Sequence, residues 1–123
     1  MINFTKFLEE GILAQQKYAE KAGVKGPLDD LTNQERYIKV IEMLGHAIEE
    51  CVETRMLVPR RSWKTFEHGY LDDESLKREF CFEITDILLF IRATLAYSGI
   101  SIEEFEEHFN KKLDYNKVRK DHK

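Results

Sequence analysis

Two capping boxes divide this chain. Thr32-Asn33-Gln34-Glu35 and Ser101-Ile102-Glu103-Glu104 each put a hydroxyl residue three places before a glutamate. In such a box the hydroxyl accepts from a first-turn N–H and the glutamate reaches back, so each box marks the start of a helix. Gly23, Gly26 and Pro27 end a first helix that runs from about Phe4 to Ala22. Pro59 stops a second, which follows the first box and reaches about Leu57. Asp72 or Asp73 caps a third, which runs to about Tyr97 before Ser98-Gly99 breaks the chain. A fourth opens at the second box. No segment alternates with period two, so the expected fold class is all-α, an antiparallel bundle of four main helices. A chain of 123 residues is one domain by size, spanning 1–123, with a basic tail over 111–123.

The apolar residues recur at helical spacing. In the first helix Phe4, Phe7, Leu8, Ile12 and Gln15 fall near one side. In the second, Tyr37, Ile41, Leu44, Ile48, Cys51, Val52 and Arg55 group together. At ~100° per residue, Glu42, His46, Glu49, Glu50 and Glu53 take the other side. The apolar side is the one expected to face a core. Cys51 and Cys81 are the only cysteines, and both fall in helices. They are expected to be reduced thiols packed inside a cytoplasmic protein. Met1-Ile2-Asn3-Phe4 shows no basic region followed by an apolar segment, so no targeting signal is expected. No apolar stretch approaches the ~18 residues needed to span a membrane. A net charge of −4 argues against general affinity for nucleic acid. The core of four short helices is modest, so a homo-oligomer, dimer or tetramer, is expected.

Chemistry enters with two acidic pairs. Glu50-Cys51-Val52-Glu53 and Glu83-Ile84-Thr85-Asp86 each place two carboxylates three residues apart, on the same side of a helix. The second pair lies in a strongly apolar run, Ile84 to Ile91, where an unpaired charge is costly. Glu79, Glu83, Asp86 and Phe90 form one stripe, and Phe80, Ile84, Ile87, Leu88, Ile91 and Leu95 cover the adjoining side. If the second and third helices pack antiparallel, both pairs face each other. Four carboxylates around one site suit a hard divalent cation such as Mg²⁺, completed by water and phosphate. A nucleoside triphosphate brings about four negative charges, and Lys64, Lys112, Arg119 and Lys120 would bind what the cation leaves. Trp63 would stack on a base. His68, His108 and His122 lack the spacing of zinc ligands.

Taken together, Glu49-Glu50-Cys51-Val52-Glu53 and Glu83-Ile84-Thr85-Asp86 resemble the ExxE…ExxD pattern of the all-α NTP pyrophosphohydrolases, the MazG-like superfamily. The resemblance is closer to the dimeric dUTPase branch. Its S-x-W-K-x-W segment is matched by Ser62-Trp63-Lys64-Thr65-Phe66, and its C-terminal K-x-x-x-N-x-x-R-x-D stretch by Lys112 through Asn116 and Arg119 to Asp121. Its N-terminal L-Q-x-x-L-N-like element is matched by Gln15-Gln16-Lys17-Tyr18-Ala19, with Ala19 where the family has its base-reading Asn.

The resemblance implies a bundle completed by oligomerisation. It also implies Mg²⁺-dependent hydrolysis of a deoxynucleoside triphosphate, dUTP first, to dUMP and pyrophosphate. Glu50, Glu53, Glu83 and Asp86 would bind the metal, and Glu50 would also activate water. Gln16, Trp63 and Asn116 would contact the nucleoside, and Lys64, Lys112, Arg119 and Lys120 the phosphates. Two alternatives stand beside this: a dCTP or broad-specificity dNTP pyrophosphohydrolase, and a helical interaction module without catalysis.

Overall fold

The computed structural model describes residues 2–57 and 74–118. It holds helices α1 (Phe4–Ala22), α2 (Asn33–Leu57), α3 (Glu74–Tyr97) and α4 (Ile102–Val118), and no strand among the described residues. The fold is all-α, and the helix ends follow the local signals. Asn3 caps α1 by accepting from Lys6 N at 2.9 Å. Gly23 closes it in the left-handed region, φ 72°, while Val24 N donates back to the Ala19 carbonyl at 3.0 Å. The first capping box is reciprocal: Glu35 N donates to Thr32 Oγ1 at 3.1 Å, and Thr32 N to Glu35 Oε1 at 2.8 Å. At the second, Glu104 N donates to Ser101 Oγ at 3.1 Å. Thr32→Ala is expected to cost about 1 kcal/mol, because it removes the oxygen serving Glu35 N and frees the Glu35 side chain. Urea denaturation compared with the parent chain measures this. The expected stops and caps at Pro59, Asp72 and Asp73 lie outside the described residues.

Packing runs in series rather than around a closed ring. α2 and α3 form an antiparallel hairpin: Arg36 in the first turn of α2 donates to the Tyr97 carbonyl at the end of α3 (3.4 Å), and the His46 and Phe90 rings meet at 5.1 Å further along. α1 lies on the other flank of α3. There Arg92 crosses Gly11, donates to the Phe7 carbonyl at 3.2 Å and covers the Phe7 ring at 4.7 Å. A Cβ on Gly11 would sit 2.8 Å from the Arg92 side chain, so glycine is what permits this crossing. α4 touches α1, through Thr5 Oγ1 donating to Glu106 and Phe4 against Phe109 at 5.2 Å. Among the helices, α2 packs on α3 alone.

The buried apolar residues are Leu8, Tyr97 and the alanines Ala19, Ala47, Ala93 and Ala96. Small residues let α3 approach its neighbours closely, but they bury little area. Two expectations are corrected here. The apolar side of α2 does not face a core within this chain: Tyr37 is 65% exposed and Ile48 64%. The reason is where α3 lies. It meets α2 along the seam between the apolar and acidic sides, at Ala47 and Thr54, where short side chains allow contact. Likewise Cys51 and Cys81 are free thiols, as expected, but both are exposed rather than packed inside.

Candidate metal centre

The hairpin brings the acidic pairs together. Antiparallel packing sets Glu50 of α2 opposite Glu83 and Asp86 of α3, and one oxygen of each lies within 4.8 Å of the others. Glu53, the fourth carboxylate expected, is not in that group, nor is Glu79. Glu53 is three residues from Glu50, roughly 60° round the helix, and that turn carries it away from α3. Its charge still reaches Glu50.

Glu50 and Glu83 are half-buried, and the Oε2 atom of each is sealed from solvent with no hydrogen-bond partner. Carboxylate oxygens in that position lack what water would supply. The consequence is visible in Glu50. Loss of hydration first, then the facing Glu83 carboxyl, with which Glu50 can share a proton, then the charges of Glu53, Glu83 and Asp86 hold its carboxyl above the ordinary glutamate range. Such a cluster can share protons or accept a hard cation. Three carboxylates supply part of an octahedral oxygen shell and leave positions for water and phosphate. The two orphaned oxygens are what a cation would satisfy, so the donor set fits Mg²⁺.

One helical turn from the carboxylates, His46 lies against Phe90 and pairs with Glu49 at 3.2 Å. Sequence spacing had placed His46 on the acidic side and Phe90 on the carboxylate stripe. Their contact depends on the hairpin and carries no signal in either segment alone.

The remaining expected site residues are scattered. Gln16 clasps the α1–α2 loop: its Oε1 accepts from Leu28 N at 2.9 Å, and its Nε2 donates to Asp29 and Glu20, both at 3.2 Å. Asp29 also accepts from Gly26 N at 2.7 Å, and these bonds hold its carboxyl below the ordinary range. A cleft of about 560 Å³ opens beside this loop, lined by Val24, Lys25, Asp29, Leu31, Glu35 and Ile38 among others, and by none of the clustered carboxylates. Lys112 and Asn116 are on α4, which packs mainly on α1, and neither belongs to the carboxylate group; the Lys112 ammonium lies 5.1 Å from the Tyr115 ring centre. Trp63, Lys64, Arg119 and Lys120 lie outside the described residues. No helix among the described residues is long and apolar enough to cross a membrane. Comparison with models of protein families, with curated proteins and with solved structures found no match.

Proposed function

We propose that this chain is a Mg²⁺-dependent pyrophosphohydrolase that cleaves a deoxynucleoside triphosphate, dUTP first among them, to the monophosphate and pyrophosphate. The observation that carries the reading is the meeting of Glu50, Glu83 and Asp86 within 4.8 Å, with two of their oxygens sealed and unpartnered. These are also three of the four acidic positions in the resemblance to the MazG-like superfamily and its dimeric dUTPase branch. Mg²⁺ held by these three, with Glu53 nearby, would offset triphosphate charge and draw electron density from the α-phosphorus. Glu50 is the base. Its raised affinity for a proton suits it to take one from a water attacking the α-phosphorus. The bond from the α-phosphorus to the bridging oxygen breaks, and pyrophosphate leaves with that electron pair. Lys64, Lys112, Arg119 and Lys120 are the cations assigned to the phosphates in this reading, and Gln16, Trp63 and Asn116 the groups assigned to the nucleoside. Assembly of more than one copy belongs to the same reading.

A wider substrate range is the second reading, and Ala19 favours it. It is buried, 4% exposed, and a Cβ on Gly26 would lie 3.0 Å from its methyl, so no polar group reads a base from this position. Incubation of the pure protein with Mg²⁺ and each of dUTP, dCTP, dTTP and dATP tests both. Pyrophosphate with a monophosphate is the expected product, and relative kcat/KM values rank the bases. Orthophosphate with a diphosphate as the main output would refute the reaction class. Inertness to all four, with no change in melting temperature on adding Mg²⁺ or a non-hydrolysable dUTP analogue, would favour a non-catalytic helical module.

A further inference from the structure

The groove between α2 and α3 continues past the carboxylates in two directions, and the two differ in chemistry. Toward Leu57 the next positions are Glu53 on α2 and Glu79 on α3. Toward Arg36 they are His46 and Phe90. His46 stands four residues before Glu50, and Phe90 four after Asp86. Each therefore lies ~6 Å along its helix and roughly 40° round from a clustered carboxylate. Because the helices are antiparallel, the two shifts run the same way, and the rings meet at 5.1 Å, tilted by 33°. The positions that follow, Met43 and Ala93, carry no charge; Met43 is half-buried and Ala93 buried. A neutral nucleoside fits the His46 direction, and a Mg²⁺-laden triphosphate the acidic one.

His46 is held from two sides. Phe90 packs against its ring. Glu49 lies 3.2 Å from Nδ1, and an ionised carboxylate only accepts, so the proton stands on Nδ1. That leaves Nε2 as an acceptor, with no hydrogen-bond partner among the described residues. The side chain keeps 47% of its surface exposed, so a ligand in the groove can reach it.

We infer that His46 reads the sugar of the substrate: its Nε2 accepts a hydrogen bond from the 3′-hydroxyl of the deoxyribose. The inference rests on the reaction proposed above and adds a contact which that reading does not assign. Reach selects the sugar. The 3′-oxygen is five bonds from the α-phosphorus, a span close to the ~6 Å that separates Glu50 from His46 along α2. The base extends further, level with Met43 and Ala93. Chemistry selects the hydroxyl. It is the one donor on the sugar of a deoxynucleoside 5′-triphosphate, and Nε2 is an acceptor without a partner.

The experiment compares dUTP, or the dNTP ranked first above, with its 2′,3′-dideoxy counterpart in the presence of Mg²⁺. The parent chain should prefer the nucleotide with the 3′-hydroxyl about tenfold in kcat/KM, the effect of one neutral hydrogen bond. His46→Phe keeps a ring against Phe90 and removes the acceptor, so the ratio should fall to about one while turnover of the dideoxy nucleotide persists. His46→Gln sets an amide oxygen near the place of Nε2 and should restore most of the preference. Should His46→Phe lose its helices by circular dichroism, His46→Ala decides on the same ratio. Calorimetric Kd values for the α,β-imido analogues of both nucleotides should show the same ratios, so the contact is read in binding as well as in turnover. A parent chain that treats the two nucleotides alike, or a His46→Phe protein that keeps the tenfold preference, overturns the inference and leaves the proposed reaction standing. Binding with that preference but no hydrolysis would sink the reaction alone. A protein that neither binds nor cleaves any of these nucleotides sinks both.

Discussion

Glu83→Gln is expected to lower kcat/KM by a factor of about 10²–10⁴, the range that positioned proton transfer and charge stabilisation supply. Glu83 is where the two acidic pairs join. It stands on α3, faces Glu50 across the hairpin, and holds one oxygen sealed from solvent without a partner. Glutamine keeps the shape and removes the charge, so packing is spared while the cation loses a ligand. Glu50→Gln should fall as far, since it removes both a ligand and the proton acceptor. Glu42→Gln is the control. Glu42 is exposed, pairs with Lys39 at 3.5 Å, and lies two turns from Glu50 on α2. An exposed pair of this kind contributes little, so activity should stay within about twofold of the parent. Circular dichroism of each variant confirms that the helices persist. A Glu83→Gln protein with full turnover removes α3 from the site and with it the proposed mechanism.

What the sequence made legible is what local chemistry decides. Thr32, Glu35, Gly23, Gly99 and Ser101 act within a few residues of their own positions, and the helix limits at Ala22, Asn33, Tyr97 and Ile102 stand where those signals put them. The side of α2 that meets its neighbour was a different kind of question. Amphipathicity shows that an apolar side must be covered, not that the cover is α3. Here α3 takes the narrow strip at Ala47 and Thr54, and the broad apolar side is left open. The carboxylate cluster was legible to the extent that it needed only two helices and their antiparallel sense. Glu53 falls outside it because a rotation of roughly 60° about α2 matters at the scale of a coordination shell. Gln16 shows the other limit. An amide that suits a nucleoside edge suits a backbone N–H equally well, and here it holds Leu28. Lys112 and Asn116 sit on a helix that packs mainly on α1, an arrangement fixed by the turn at Ser98-Gly99 and by the Phe4–Phe109 contact rather than by any pattern within α4.

The same cluster should make the metal-free protein less stable as pH rises, and Mg²⁺ should reverse the loss. The sign follows from Glu50. Its carboxyl titrates above the ordinary range when folded, because of dehydration, a proton it can share with the facing Glu83 carboxyl and the charges around it. Between the unfolded glutamate value of about 4.3 and that raised value, the folded chain holds a proton that the unfolded chain has released. The contribution is therefore fully present below about pH 4.3 and is lost as pH climbs through the folded value. At pH 7.5, without metal, the carboxylates repel one another across the hairpin. Glu50→Gln removes that repulsion, so the variant should melt higher than the parent at pH 7.5 and differ less from it near pH 5. Mg²⁺ at about 100 times its Kd would stabilise the parent by ~2.7 kcal/mol, which for a domain of this size raises Tm by roughly 10 °C. In Glu50→Gln most of that gain should vanish. Differential scanning calorimetry at one fixed protein concentration, with and without Mg²⁺ and from pH 5 to 8, measures all of these shifts. A parent and a Glu50→Gln protein that respond to Mg²⁺ alike would show that the cation does not sit among these carboxylates.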